Sequence, residues 1–205
     1  LLLYARNAEE RVFGRFTAFM CRFSNIFNGL NERDDNKTAI WEFDLGRKGS
    51  GGLLDEFPAV VVSDGMLKAG AVALLLSLDS PPALILLEEI ENSINPANIQ
   101  LLMSWIWQAA ATDPNKRSTQ FILTSHSPLV LREFHDKPHY VYVVRLERRS
   151  FSSTVTNLNE TLKTLRDIGA IDDGDDIEIR EEDHREIIQI PKYRLAELWY
   201  SGIIG

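Results

Sequence analysis

A chain of 205 residues, of which 44% are hydrophobic, can form one domain or one large lobe with a sizeable core. Its formal net charge of −8 argues against nucleic-acid binding by the chain as a whole. The single cysteine, Cys21, excludes an internal disulfide and a cysteine zinc cluster, and we expect it to be a small core residue of a cytoplasmic protein. No membrane span is predicted, because Asp79 and two prolines interrupt the longest apolar region, residues 69–87.

The first part of the chain predicts one long helix followed by short strands. Residues 4–27 carry apolar side chains at helical spacing, and residues 28–36 are rich in turn formers. Residues 39–45 alternate in polarity and predict a strand. A glycine-rich loop at 46–52 and a short strand at 59–62 follow.

The middle of the chain predicts a helix, a strand and a second helix. The segment 63–78 has the polar start of a helix. Four consecutive aliphatic residues, Leu84–Leu87, predict a strand that is buried on both faces and is usually parallel. Asn95 and Pro96 are preferred at a helix start, and this helix is predicted to run to about Ala111.

The remaining elements complete an alternating order. Strands are predicted at 120–124 and 140–146, a helix at 160–168, a solvated acidic segment at 172–186 and a short docking helix at 193–205. Because strands alternate with helices, we expect an α/β fold with a mostly parallel sheet flanked by helices.

Two adjacent acids, Glu88 and Glu89, follow the predicted strand Leu84–Leu87 directly. Open α/β sheets bind their ligands at the carboxyl ends of their strands. In ATP hydrolysis, one carboxylate at such a strand tip holds Mg²⁺, often through water, and a second polarises the attacking water. The pair therefore suggests a metal ligand and a base, although plain strand-end turns share this pattern.

Polar residues also follow the predicted strand at 120–124. Ser125 and His126 come just beyond it, and neighbouring parallel strands would place His126 at the same sheet edge as Glu89. A histidine there can contact a phosphate oxygen or orient water. A structural hydrogen-bonding histidine is the alternative.

A third motif, Ser63-Asp64-Gly65, opens the predicted helix at 63–78. Ser63 or Asp64 can cap the helix, and its free N–H groups and dipole favour an anion. Gly65 would let a ligand approach the backbone closely. A plain helix cap is the simpler alternative.

In this order the motifs VSDGMLK, ALILLEEIENSINP and FILTSHSP resemble the C-terminal lobe of an ABC-type ATPase. More closely, they resemble the AAA-type ATPases of the SMC, RecF and OLD-like branch. The resemblance is closest over residues 60–131 and extends to the ending LAELWYSGIIG. It implies an N-terminal helical and strand/loop region at 1–58, followed by a P-loop NTPase lobe at 59–205.

The resemblance also implies a role for each matching residue. Glu88 takes the Walker B magnesium position and Glu89 that of the catalytic glutamate, while His126, with Ser125 beside it, takes the H-loop position near the γ-phosphate. Ser63, Asp64 and Gly65 take the signature position, which contacts ATP bound by a partner, and Glu91 and Asn92 take the D-loop position facing a second subunit. Ser93 and Asn95 stand where such proteins often have Gly and His. The implied ligands are ATP and Mg²⁺.

A phosphate-cradling Walker A loop, G-x-x-x-x-G-K-[ST], does not occur in the sequence. The resembled family carries it well before the signature, so we expect a separate N-terminal lobe to supply it. The chain alone is then expected to bind ATP poorly and to show no ATPase activity. A homodimer or paired ATPase lobe is the implied partner. Relatives that act in DNA repair or phage defence suggest DNA or an effector protein as further partners.

Three other functions remain open at this level. The chain could be a catalytically silent module for dimerisation or regulation. It could belong to an OLD-like nuclease-associated ATPase, since residues 172–176 are rich in aspartate, although Toprim acids follow a buried strand. A hydrolase that uses Glu88 and Glu89 as a carboxylate pair is disfavoured, because such pairs come from separate elements several ångströms apart.

Overall fold

Two units make up the chain, Leu1–Thr124 and Ser125–Gly205. The computed structural model describes residues 10–33, 38–46, 53–111, 119–147, 151–171, 177–182 and 184–204. None of the helices in these ranges has the length and apolarity needed to cross a bilayer. The division expected at residues 58 and 59 rests on the resemblance to the ATPase lobe, and it stays a prediction.

The first unit begins with a helix and an antiparallel sheet, after which helices alternate with strands. Its elements in chain order are α1 (Glu10–Phe23), β1 (Phe27–Arg33), β2 (Thr38–Phe43), β3 (Asp55–Pro58), a 3-10 helix (Ala59–Val61), α2 (Asp64–Ser77), β4 (Leu84–Leu87), α3 (Pro96–Ala110) and β5 (Gln120–Leu123).

The antiparallel sheet has the strand order β1-β2-β3. Only residues 34–37 separate β1 from β2, whereas a crossover between parallel strands needs about a dozen residues or more. The expected turn at 28–36 is therefore corrected, because most of it is strand. Leu30 is buried and pairs with Trp41, and this tertiary contact overrides the turn preference of Asn28 and its neighbours.

The strand expected at 59–62 is also corrected. The pairing with β2 ends at Pro58, which lies opposite Ile40, and a 3-10 helix occupies the next three residues. Proline lacks the backbone N–H that a continuing ladder requires. The apolar residues Val60 and Val61 are exposed rather than part of a sheet.

A parallel pair, β4 and β5, follows the antiparallel sheet in the chain, with Leu84 opposite Gln120 and Leu87 opposite Leu123. The expectation that β4 is buried on both faces is wrong for this chain. Ile85 is 7% exposed, whereas Leu84 and Leu86 are 47% and 65% exposed. Side chains alternate across a strand, so one face of this pair is packed and the other is open.

The core of the first unit is formed by α1, α2, α3 and the antiparallel sheet. Helix α1 buries Val12, Phe16, Met20 and Phe23 at helical spacing, as expected, although it ends before Phe27. Helix α2 lies close to Trp41, because a Cβ on Gly70 would lie 2.7 Å from the indole ring. The aromatic cluster of this core includes Phe16, Phe27, Trp41, Phe43 and Phe57. Cys21, expected in the core, is exposed, because it lies on the outer face of α1.

The second unit consists of short helices and two antiparallel hairpins. Its elements are α4 (Pro128–Leu131), 3-10 helices at Arg132–Phe134 and Pro138–Tyr140, β6 (Tyr142–Glu147), β7 (Ser152–Asn157), α5 (Leu158–Asp167), β8 (Glu178–Glu182), β9 (Arg185–Gln189) and α6 (Lys192–Tyr200).

Helix α5 packs against β9 and helix α6 packs against α4, and their buried apolar side chains share the core of the second unit. Asn159 is buried there, accepting from the N–H of Ile188 at 2.9 Å and donating to the carbonyl of Glu186 at 2.8 Å. The segment 172–186, expected to be acidic and solvated, contains β8, whose residues are all exposed, and the beginning of β9. The bonds of Asn159 hold β9 in place. The expected C-terminal docking helix is present as α6, which buries Leu195 and Leu198.

The α/β class is confirmed, whereas a mostly parallel sheet is not. Within the described ranges, parallel pairing is limited to β4 and β5, and the other ladders are antiparallel. Short connections explain the difference, because they join neighbouring strands as hairpins.

Candidate functional site

The two acids at 88 and 89 lie at the carboxyl end of β4, beside the end of its parallel neighbour β5. Glu88 and Glu89 follow Leu87 directly, and both are exposed. Thr124 follows β5 and donates its N–H to the carbonyl of Leu87 at 2.9 Å. This bond extends the parallel pairing of β4 and β5 up to Leu87, the residue directly before the two acids.

Thr124 fixes the backbone of Glu89. Its Oγ1 accepts the N–H of Glu89 at 3.0 Å, and its carbonyl accepts the N–H of Ile90 at 3.2 Å. Two consecutive amides are thereby tied to the neighbouring strand. Sequence reasoning missed Thr124. The sequence feature that could have identified Thr124 is a short polar residue at the end of a predicted strand. The strand register places this residue opposite the acids.

The segment from Glu88 to Ile94 forms a turn that contains two left-handed residues, Glu89 with φ 44° and Ser93 with φ 65°. A side chain in this region costs roughly 1–2 kcal/mol, so the surrounding structure must hold the turn. Hydrogen bonds from Asn92 N–H to the Glu89 carbonyl at 2.8 Å and from Ile94 N–H to the Glu91 carbonyl at 3.0 Å run across it. Ile90 and Ile94 anchor it in the core, since both are buried.

The side chains of this turn also contact each other. Asn92 donates from Nδ2 to Oε2 of Glu89 at 3.4 Å, and Ser93 donates from Oγ to Oδ1 of Asn92 at 3.5 Å. Glu91 is half-buried and Asn92 is exposed. The expectation that Glu91 and Asn92 face a second subunit stays a prediction.

The start of α2 packs against the same turn. Ser63 is the N-cap, and its Oγ accepts the N–H of Met66 at 3.3 Å. Asp64 is exposed, whereas Gly65 is buried, and a Cβ on Gly65 would lie 1.9 Å from the carbonyl oxygen of Ser93. The missing side chain makes room for the turn of the same chain, and the close approach of a ligand expected at Gly65 stays a prediction.

Lys68 is a second residue that sequence reasoning missed. It lies on α2, is half-buried, and donates from Nζ to the carbonyls of Glu89 at 2.7 Å and Asn92 at 3.2 Å. The sequence feature that could have identified Lys68 is its position four residues after Asp64, because this spacing places both residues on one face of the helix. Seven of the nine candidate residues predicted from the sequence thus lie at the start of α2, its N-cap included, or in the turn that α2 contacts.

The other two, Ser125 and His126, begin the second unit. The Oγ of Ser125 accepts the N–H of Ser127 at 3.0 Å, and Ser127 caps α4 by accepting the N–H of Leu129 at 3.2 Å. Ser125 thus helps to form a helix start, while the side chain of His126 is exposed. The phosphate-contacting roles of both residues stay predictions.

The charge of the site suits a magnesium-bound polyphosphate better than a polyphosphate alone. The segments that meet here carry four acids, Asp64, Glu88, Glu89 and Glu91, and the single lysine Lys68. Carboxylates repel a phosphate unless a divalent cation lies between them. Mg²⁺ is usually held by one or two carboxylates together with phosphates and water. Within the described part of the chain, no group of three or more His, Cys, Asp or Glu side chains could hold a metal ion.

Parts of several predicted segments lie outside the described residues. They are 4–9 of the first helix, 34–36 of the turn, 47–52 of the glycine-rich loop, 172–176, the aspartate-rich part of the acidic segment, with 183, and 205 at the end of the docking helix.

Residues 23–132 match the family described as "AAA domain, putative AbiEii toxin, Type IV TA system". This match covers more than half of the 205 residues, including all the candidate residues. No curated protein matches the chain.

Solved structures of SMC ATPases share the fold. A chain described under "Structural biochemistry of ATP-driven dimerization and DNA stimulated activation of SMC ATPases" matches with a TM-score of 0.50 and 16% identity, over 83% of this chain and 98% of that one. An SMC head bound to the C-winged helix domain of ScpA matches with a TM-score of 0.53 and 14% identity, over 77% of this chain and 46% of that one. The family match and the shared fold together support the expected relationship to ABC/SMC-type P-loop ATPases.

Proposed function

The chain belongs to this AAA-domain family, and we propose that it supplies half of an ATP-hydrolysing site in an ABC/SMC-type dimer. One observation carries the proposal: two exposed acids at the tip of a parallel strand lie in a turn that contacts the start of α2. ATP hydrolysis needs a metal ligand and a water-orienting carboxylate at such a tip. A solvated turn without a ligand has no need to combine strained backbone with two adjacent carboxylates.

Glu88 and Glu89 divide the chemistry between them. Glu88 would hold Mg²⁺, which supplies charge stabilisation to the transferring phosphoryl group when bound. Glu89 would orient the attacking water and accept its proton. Adjacent residues at a strand tip project in different directions, so one carboxylate would face the metal and the other the water.

The remaining assignments follow the family pattern. Ser63, Asp64 and Gly65 would form the signature that meets ATP on a partner, with Gly65 shaping the turn from within. Glu91 and Asn92 would face the second subunit, and Ser125 and His126 would lie near the γ-phosphate. These roles rest on position in the sequence and on the contacts of α2 with the turn.

The phosphate-binding loop must come from another segment or chain, because no Walker A pattern occurs in these 205 residues. The chain alone would then be inactive, and ATP would be sandwiched between a Walker A lobe and the signature of a partner. ATP binding would close the dimer and hydrolysis would open it. One matched structure comes from work on ATP-driven dimerisation and DNA-stimulated activation of SMC ATPases. We accordingly propose a role in DNA repair or phage defence, with DNA or an effector protein as partner.

Nucleotide-dependent association tests this proposal. The chain is joined to a Walker A-bearing lobe of the family, and its mass is measured by light scattering with and without Mg²⁺ and ATP. Dimers are expected with Mg²⁺ and ATP, and they should persist in Glu89→Gln because hydrolysis is blocked. Dimers that form equally without nucleotide would favour the silent dimerisation module instead.

A further inference from the structure

Lys68 joins helix α2 to the turn that carries Glu89. Its ammonium group donates to the carbonyl of Glu89 at 2.7 Å and to that of Asn92 at 3.2 Å. These carbonyls are three residues apart in sequence, yet one side chain reaches both. Hydrogen bonds from a charged donor are shorter and stronger than those between neutral groups.

The two carbonyls that Lys68 contacts belong to the strained part of the turn. Glu89 is itself left-handed, and Asn92 immediately precedes left-handed Ser93. A left-handed residue keeps its conformation only where the surroundings hold it. By fixing the carbonyls at these two points, Lys68 opposes rotation of the peptide units toward ordinary backbone angles.

A second contact on the same helix supports this role. Gly65 lies three residues before Lys68, about one helical turn away. Its Cα faces the carbonyl of Ser93 so closely that a Cβ would lie 1.9 Å from that oxygen. The first two turns of α2 therefore hold the Glu89 turn at both ends.

We propose that Lys68 is a positioning residue that holds the Glu89 turn in its left-handed geometry and links the start of α2 to the orientation of the Glu89 carboxylate. This proposal rests on the proposed role of Glu89 in hydrolysis. A shift at Ser63 to Lys68, where a partner's nucleotide would bind, would then move the backbone of Glu89. A phosphate ligand is the other function open to a lysine, and here two of the three donors of the Lys68 ammonium group already bond to backbone oxygens.

Amide hydrogen exchange on the full chain tests the positioning role without nucleotide. The variants are Lys68→Met, which removes the donors, and Lys68→Arg, which keeps them. Lys163→Met, which removes an exposed i,i+3 ion pair on α5, is the control. Loss of a charge-assisted bond should raise the exchange rates of Asn92 and Ile94 about tenfold in Lys68→Met. The control should leave these rates unchanged, and Lys68→Arg should keep them close to those of the wild type.

A second test removes the backbone strain at Ser93 and measures the same exchange rates. In Lys68→Met, the further change Ser93→Gly should restore part of the lost protection, because glycine adopts a positive φ without cost. Unchanged exchange at Asn92 and Ile94 in Lys68→Met would overturn the proposal.

Kinetics separate the positioning role from phosphate binding. With a Walker A-bearing lobe supplied, Lys68→Met should lower kcat by about 10- to 100-fold through misplacement of Glu89, with KM for ATP unchanged. Lys68→Arg should recover most of the kcat. A raised KM with unchanged kcat would identify Lys68 as a phosphate ligand and would overturn the proposal. If Lys68→Met loses exchange protection while Glu89→Gln keeps full activity, the proposed role of Glu89 is refuted instead.

Discussion

Thr124 accepts the backbone N–H of Glu89 through Oγ1 at 3.0 Å, and this bond joins the ends of two parallel strands. Thr124→Val keeps the shape of the side chain but removes the acceptor. We expect the free energy of unfolding to fall by about 1 kcal/mol, the usual net value of one hydrogen bond. Urea unfolding followed by tryptophan fluorescence measures the change. Thr124→Ser, which keeps the hydroxyl, should lose less. A Thr124→Val protein as stable as the wild type would contradict this account.

Gly65→Ala should destabilise the protein strongly. The new Cβ would lie 1.9 Å from the carbonyl oxygen of Ser93, so either α2 or the turn must move. Overpacking of this kind costs about 1–3 kcal/mol, and a backbone clash belongs at the upper end. Thermal unfolding measures the loss.

A matched control comes from α1. Gly14 is exposed in a helix interior, and a Cβ added there would have nothing within 4 Å. Gly14→Ala should raise the free energy of unfolding by about 0.5–1 kcal/mol through helix propensity. A Gly65→Ala protein as stable as Gly14→Ala would contradict the close packing of α2 on the turn.

Ser93→Gly should stabilise the protein. Ser93 has φ 65°, and glycine would remove a left-handed cost of about 1–2 kcal/mol while adding about 0.5–1 kcal/mol of unfolded-state entropy. The expected gain is about 0.5–1 kcal/mol, measured by urea unfolding. Ser104→Gly, in the right-handed interior of α3, should instead lose about 0.5 kcal/mol. A loss in both variants would show that Ser93 is not strained.

Asp79 should make stability depend on pH. Hydrogen bonds from Arg15 and then Arg11 hold the pKa of the Asp79 carboxyl below its usual value of 3.8. A carboxyl whose pKa is lowered by folding stabilises the folded state above its unfolded pKa, and this contribution disappears as the pH falls through the lowered value. Wild type should therefore exceed Asp79→Asn in stability at pH 7, and the two should converge in strong acid. The pair is exposed, so the difference should also shrink in high salt. A difference independent of pH would contradict this account.

The sequence predicts best where local pattern and packing agree. The Ser63 cap, the Asn95–Pro96 start of α3 and the apolar face of α1 all follow from residue type and helical spacing, and all are present. The sequence also predicts the parallel strands β4, which ends at the acids, and β5, because their short apolar runs are followed by polar residues.

Long-range partners explain the corrections. Residues 28–36 were predicted as a turn, because nothing local shows that Leu30 will pair with Trp41. The contact of Gly65 with the carbonyl of Ser93, which is distant in sequence, is likewise not visible in the local pattern. The resemblance did identify Ser93 as a position where relatives often have glycine, and its positive φ gives that preference a physical cause.

Glu89 is proposed to orient the water in ATP hydrolysis. The direct measurement is magnesium-dependent phosphate release by the chain joined to a Walker A-bearing lobe, with Glu89→Gln compared with Glu56→Gln, an exposed glutamate on β3, as the control. Removal of the base should lower kcat by about 100-fold or more, while ATP binding persists and Glu56→Gln retains hydrolysis. Turnover by Glu89→Gln at the wild-type rate, or turnover by the 205-residue chain alone that is independent of Glu89, would contradict the account.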